Sequence, residues 1–127
     1  MSASGVFLCM NVHPLHTVVE TPEFRRRVRS LLSEKELGAL VDHVAAAPDD
    51  GDLMVGTGGA RKLRWAAKGR GKRGGVRVIT YFGGSEVPVF LLTMFGKGER
   101  VNLSKAERND LRKMLHLFTE EYRKGVK

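Results

Sequence analysis

The sequence lacks the paired cysteines, the long apolar run and the basic leader that are typical of secreted and membrane proteins. Its single cysteine, Cys9, excludes an internal disulfide framework and a zinc site built from a cysteine cluster. The longest apolar run, Val87 to Phe95, contains Pro88 and is far shorter than the ~18 residues of a membrane-spanning helix. The first ten residues lack the basic leader of a secretory signal. We therefore expect a cytoplasmic protein without a membrane segment.

Acidic residues are absent from one long segment of the chain. Leu53 to Ser85 contains eight Lys and Arg residues and no Asp or Glu, whereas the remainder holds 14 residues of each sign. The formal net charge of +8 is therefore concentrated in this segment. Because crowded like charges destabilise a folded protein, we expect a polyanionic ligand that offsets their repulsion. RNA or DNA is the first candidate, and an acidic partner protein is the second.

Helix-start signals predict an N-terminal helical hairpin and a C-terminal helix. Thr21-Pro22-Glu23 supplies a capping residue, a proline at the first helical position and an acid at the positive end of the helix dipole. Ser33 and Glu36 form a capping-box pattern at the start of a second helix. Ser104 and Glu107 repeat that pattern before an apolar stripe near the C-terminus.

Segments rich in β-branched, aromatic or apolar residues predict four strands. They are Leu15–Glu20, Ala60–Ala67, Val76–Phe82 and Val87–Phe95. The resulting order β-α-α-β-β-β-α indicates an α+β domain with helices against one side of a mainly antiparallel sheet. Residues 1–14 show no periodicity, so we expect a flexible N-terminal extension followed by a single domain over residues 15–127.

A glycine-rich basic loop separates the second and third predicted strands. Its glycines allow the backbone to approach phosphates closely, and four basic side chains supply charge. These side chains are Lys68, Arg70, Lys72 and Arg73. The G-x-G-x-x-G pattern within the loop leads into a strand rather than a helix, so it does not predict dinucleotide binding. Since the chain also lacks an H-x-x-x-H pair and a nucleophile elbow, we expect no metal and no cofactor.

Alternation along the strands gathers basic side chains on one face of the sheet. Arg77 and Tyr81 share a face, which either Arg61 or Arg64 joins from the preceding strand. Lys97 follows the last strand at its end. Such a face would form a concave binding site for phosphate. The alternative is an acid that pairs across the sheet with one arginine, which would leave the other arginines unexplained.

Three segments of the chain form a specific combination: Gly58 to Arg64, Lys68 to Tyr81 and Phe90 to Lys97. Together they resemble the RelE/HigB family of bacterial toxins, in particular its HigB-type branch. The resemblance extends from about His16 to the C-terminus, and it implies a type II toxin with a microbial-RNase-like α+β fold that cleaves mRNA in the ribosomal A site. It also implies a cognate antitoxin, usually with a helix-turn-helix DNA-binding domain in the HigB-type branch, through which the pair reaches its operator DNA.

The residues present suit metal-independent RNA cleavage, in which the 2′-hydroxyl of the substrate attacks the adjacent phosphate. Arg64 and Arg77 suit the phosphate because a guanidinium contacts two oxygens at once. Neighbouring cations lower the pKa of a lysine, so Lys68 and Lys97 are candidates for proton transfer. Tyr81 is a candidate for stacking on a base or positioning the hydroxyl. The expected RNA-binding residues are Arg61, Lys62, Arg70, Lys72 and Arg73.

Two other functions remain open at this point. Related toxins with this fold act on DNA gyrase and cut no RNA, although the basic loop and the Arg77/Tyr81 pair argue against that function. A non-catalytic module that binds RNA or DNA, for example at the ribosome, needs only the basic stretch. Cut RNA ends distinguish an enzyme from such a module.

Overall fold

A computed structural model of the chain describes residues 15–67, 75–84, 86–96, 98–99 and 103–125. The described elements are β1 (Val18–Glu20), α1 (Pro22–Leu31), α2 (Glu34–Ala46), β2 (Asp52–Leu53), β3 (Ala60–Trp65), β4 (Val76–Phe82), β5 (Val89–Phe95) and α3 (Lys105–Gly125). The predicted α+β class is confirmed. The order differs by β2, a two-residue strand that is absent from the predicted order, because pairing this short leaves no alternating pattern. The predicted N-terminal extension lies outside the described residues.

The described strands form a five-stranded sheet in the order β1-β5-β4-β3-β2. Among these described pairs, β1–β5 is parallel, and β2–β3, β3–β4 and β4–β5 are antiparallel. A β-bulge interrupts the pair β4–β5, where Ile79 lies opposite Thr93 and Thr80 lies opposite Leu91. Leu92 is therefore an extra residue in β5, and a bulge of this kind bends the strand and increases its local twist.

One face of the sheet, which we call the hairpin face, is covered by α1 and α2. Phe24 of α1 and Leu40 of α2 are fully buried there against residues such as Val78 and Leu91. Burial of each such side chain contributes about 1.5–3 kcal/mol of transfer free energy. The predicted helix starts are confirmed, because Thr21 caps α1 and a capping box opens α2.

The opposite face, which we call the α3 face, is partly covered by α3. Leu115 is 1% exposed and packs in a cluster with Ile79, Tyr81 and Phe90. The ring of Phe90 lies 5.1 Å from that of Phe118, measured between centroids. The prediction that the helices lie against one side of the sheet is therefore wrong, because an apolar stripe does not specify which sheet face receives it. No helix in the described part of the chain is long and apolar enough to cross a membrane.

Candidate nucleic-acid interface

Three cations form a cluster on the α3 face, beyond the part that α3 covers. This cation cluster consists of Lys62 and Arg64 from β3 and Arg77 from β4, with Arg64 directly opposite Arg77 in the register. Directly opposed residues of an antiparallel pair have Cβ atoms about 4.5–5.5 Å apart, and opposed like charges destabilise a sheet. An anion between the two arginines would remove that repulsion.

The cation cluster has one acidic neighbour among the described strands, because Asp52 of β2 lies directly opposite Lys62 in the register. The three central strands β3, β4 and β5 contain no Asp or Glu. Glu86 lies 3.8 Å from Arg123, and Glu99 pairs with Arg27. Arg64 is exposed and forms no ion pair within the described part of the chain. The described His, Cys, Asp and Glu side chains likewise form no group of three or more that could hold a metal ion.

Glu99 connects α1 to the turn that follows β5 through hydrogen bonds. The backbone N–H of Gly96 donates to Glu99 Oε1 at 2.6 Å, and Arg27 donates to the other carboxylate oxygen. These hydrogen bonds hold the pKa of Glu99 below its usual value of 4.5. The Arg27 guanidinium lies over the ring of Phe95, 5.5 Å from its centroid. Because Phe95 is the cross-strand neighbour of Arg77, this arrangement supports the sheet beside the cation cluster.

Of the two arginines that strand alternation made candidates, Arg64 joins Arg77 and Arg61 does not. Arg61 alternates with Lys62 and therefore lies on the hairpin face, with the buried Leu63 two residues further along. Its Nη1 donates to the carbonyl oxygen of Gly51 at 3.1 Å. The contact holds Arg61 against the turn before β2, on the other side of the sheet from the cation cluster.

Tyr81 shares the α3 face with Arg77, but it lies beneath α3. Its side chain is 8% exposed, and its hydroxyl is 2.7 Å from Thr119 Oγ1. Because the Thr119 hydroxyl donates to the carbonyl of Leu115 at 3.1 Å, Tyr81 is the donor in the contact between the two side chains. Four residues at about 3.3 Å each separate Tyr81 from Arg77 along β4. A buried ring at that distance does not stack on a base, so we assign Tyr81 to packing.

The glycine-rich loop and the end of the β5 turn are not fully described. The predicted site residues outside the described part of the chain are Lys68, Arg70, Lys72, Arg73 and Lys97. The base of the loop is described, and there a Cβ on Gly75 would lie 2.0 Å from the carbonyl oxygen of Trp65. Glycine is therefore required where the chain enters β4, because β3 and β4 approach each other closely at that point.

A cavity of about 480 Å³ lies between α3 and the sheet, next to the cation cluster. Its apolar walls include Ile79, Leu92, Phe95, Leu111, Met114 and Phe118. We call it the α3 cavity. Ile79 and Phe95 are the cross-strand neighbours of Lys62 and Arg77, so the cavity begins where the cation cluster ends. The helical stripe of α3 indicated an apolar face, but a gap beneath part of that face has no signal in the sequence.

The structure and a comparison with known families agree on the identity of this fold. A family model of the RelE toxin of the RelE/RelB toxin–antitoxin system matches residues 16–126. The matched range contains every described helix and strand, and therefore also the cation cluster and α3. The mostly antiparallel sheet with a C-terminal helix is the architecture that the resemblance implied. The chain belongs to the RelE toxin family, and it is the toxin of a toxin–antitoxin system with a cognate antitoxin as its partner.

Proposed function

We propose that this toxin is an endoribonuclease that cleaves mRNA on the ribosome, and that the cation cluster binds the phosphate that is cut. Toxins of this family are generally endoribonucleases. The observation that carries the proposal is the direct opposition of Arg64 and Arg77 on central strands that contain no acidic residues. Two guanidinium groups on neighbouring strands suit the non-bridging oxygens of one phosphate, because each can form two parallel hydrogen bonds.

The proposed reaction is an in-line attack of the 2′-hydroxyl on the adjacent phosphorus. The bond between phosphorus and the 5′-oxygen breaks, which leaves a 2′,3′-cyclic phosphate and a 5′-hydroxyl. Arg64 and Arg77 stabilise the extra negative charge of the pentavalent phosphorane, because they are already in place when that charge develops. One group removes the proton of the 2′-hydroxyl and another protonates the leaving oxygen. Lys68 and Lys97 are our candidates for these two roles.

The same proposal assigns binding rather than chemistry to the remaining basic residues. Lys62 lies beside the arginine pair, and the loop residues Arg70, Lys72 and Arg73 supply further charge for the RNA backbone. We also propose that the toxin is of the HigB type, so that its antitoxin carries a helix-turn-helix domain and connects the pair to operator DNA. The basis of this last step is the sequence resemblance described above.

Primer extension on an mRNA under translation tests the proposal. We expect new 5′ ends inside the reading frame with the wild-type toxin, and none when ribosomes are omitted. Arg64→Ala and Arg77→Ala should each lower the cleavage rate by about 10²–10³, the typical loss for one preorganised oxyanion donor. Arg29→Ala is the matched control, because Arg29 is exposed on α1 and lies on the covered side of the sheet.

Each alternative function gives a different result in this experiment. A non-catalytic binding module produces no cut ends and shows graded losses of RNA affinity at every basic position. A gyrase-directed toxin leaves the mRNA intact while DNA supercoiling changes. Equal cleavage of naked RNA would remove the ribosome from the proposal and retain the nuclease. Circular dichroism of each variant establishes that the loss of activity is not a loss of fold.

A further inference from the structure

We propose that the α3 cavity binds one nucleobase of the RNA whose phosphate contacts the cation cluster. This inference rests on the proposed function, and it extends that function from the phosphate to the base beside it. The cavity has no role in the chemistry described above. It lies under α3, whereas the arginine pair lies beyond the part of the sheet that α3 covers.

The position of the cavity relative to the cations is the first argument. Phe95 in the cavity wall lies directly opposite Arg77, and Ile79 lies directly opposite Lys62. Directly opposed side chains are about 5 Å apart at Cβ. A nucleotide whose phosphate contacts Arg77 therefore has its base within reach of the cavity. The charged side chains that line the cavity itself are Glu23 and Glu107, so the cavity suits the neutral base of that nucleotide and not its phosphate.

The chemistry of the walls is the second argument. Single-stranded RNA is recognised through unstacked bases that pack on aromatic and apolar side chains and form hydrogen bonds at their edges. Phe95 supplies an aromatic ring that Arg27 contacts, and Leu92 and Leu111 add apolar surface. Polar groups also line the cavity, since Thr93 Oγ1 donates to Glu23 Oε2 at 3.2 Å. A carboxylate in that position can accept a hydrogen bond from the edge of a base.

The third argument is that the cavity is accessible and large enough. Met114 in its wall is 39% exposed, so the cavity is open to solvent along one side of α3. Its volume of about 480 Å³ lies within the usual range for sites of small organic groups. The β-bulge contributes to this space, because Leu92 and Thr93 both line it opposite Ile79.

Binding of non-cleavable RNA tests the proposal independently of catalysis. The probe is a set of short 2′-O-methyl RNAs, each of which lacks the base at one position, and the measurement is fluorescence anisotropy with the full-length toxin. We expect one abasic position to weaken binding about 5- to 150-fold, which is the range for stacking of one base on an aromatic side chain. The other abasic positions should have much smaller effects.

Two variants of α3 locate the base that the abasic series identifies. Met114→Trp fills the cavity, so it should weaken binding of intact RNA. The RNA that lacks the sensitive base should then bind this variant no more weakly than intact RNA does. Leu117→Trp is the matched control, because Leu117 is on the same helix, is 62% exposed and lines a different hollow with Arg112 and Lys113. It should bind all RNAs as the wild type does. Phe95→Leu keeps an apolar wall without the ring and should give an intermediate loss.

The outcomes separate this inference from the proposed function. A wild-type toxin with no sensitive position, or a Met114→Trp variant with an unchanged penalty, overturns the nucleobase site even if the toxin cleaves mRNA. A Met114→Trp variant that binds RNA normally but loses its antitoxin shows that the cavity receives a protein side chain instead. A toxin that has one sensitive position but cuts no mRNA supports the site and contradicts the proposed reaction.

Discussion

Arg64 and Arg77 lie directly opposite each other on neighbouring antiparallel strands, where a pair of like charges is unfavourable for the sheet. The proposed contact with a phosphate explains why both positions are basic. A site of this kind makes the fold less stable, because its function requires two like charges close together. The free energy of unfolding of the free toxin should therefore depend on the repulsion between Arg64 and Arg77.

Arg64→Gln removes the charge and keeps a long polar side chain. We expect the free energy of unfolding to stay the same or to rise by up to about 1 kcal/mol, because the repulsion with Arg77 is relieved. Urea unfolding of the free toxin at low salt measures the change, and added salt should reduce it. Arg29→Gln, on a helix and without an opposed arginine across a strand pair, should show no such gain. A clear loss of stability in Arg64→Gln would show that Arg64 has a structural role.

Glu99 gives a residue-level prediction of pH dependence. Hydrogen bonds from Gly96 and Arg27 lower the pKa of Glu99 in the folded state below its usual value of 4.5. The stability that the ionised carboxylate contributes is therefore fully present above pH 4.5. That contribution is lost as the pH falls through the lowered pKa. We therefore expect Glu99→Gln to be less stable than the wild type at pH 7, with a difference that shrinks below about pH 4. Unfolding midpoints at both pH values measure this, and a difference independent of pH contradicts the assignment.

At the scale of elements, α3 determines which part of the sheet remains open. Leu115 and Phe118 fix the helix over Tyr81 and Phe90, so Arg64 and the other basic residues at the far end of β3 and β4 stay uncovered. The sequence predicted the start of α3 correctly, because a capping box is a local signal of four residues. The sheet face that α3 covers depends on contacts between distant residues, and strand alternation alone cannot specify it.

The contact between Tyr81 and Thr119 tests the docking of α3. Thr119→Val leaves the buried Tyr81 hydroxyl without its acceptor and should cost about 1–3 kcal/mol of stability. Tyr81→Phe removes the donor instead and should cost less, and the double variant should resemble Tyr81→Phe. Because we assign Tyr81 to packing, Tyr81→Phe should cleave RNA at a rate close to that of the wild type. A large loss of activity in a stable Tyr81→Phe protein would restore Tyr81 to the site.

At the scale of the whole molecule, the candidate site shows which features the sequence predicted and which it did not. The concentration of charge and the strand alternation placed Arg77 on a basic face, because both are properties of consecutive residues. The choice of Arg64 over Arg61 required the register between β3 and β4. The α3 cavity required the position of a helix and a bulge that no local pattern encodes. Local signals thus predicted the elements, whereas the site depends on how those elements pair.

The net charge of +8 also leads to a prediction about the antitoxin. An acidic surface on the antitoxin should associate rapidly with the basic segment, with a rate that falls as salt increases. Co-expression with the cognate antitoxin should yield a complex, whereas expression of the toxin alone should arrest growth. Stopped-flow mixing of the purified partners at two salt concentrations measures the association rate. Normal growth and recovery of the toxin alone would contradict its assignment as an active toxin.

The most direct test of the central claim is the single-turnover cleavage rate of mRNA on programmed ribosomes, compared between the wild type and Arg64→Ala. The arrangement of Arg64 opposite Arg77 predicts cleavage by the wild type with a 2′,3′-cyclic phosphate at the new end. It also predicts a rate about 10²–10³ lower for Arg64→Ala with the ribosome saturated, because the lost interaction belongs to the transition state. Equal rates under saturation, or loss of affinity alone, would contradict a catalytic role for the arginine pair.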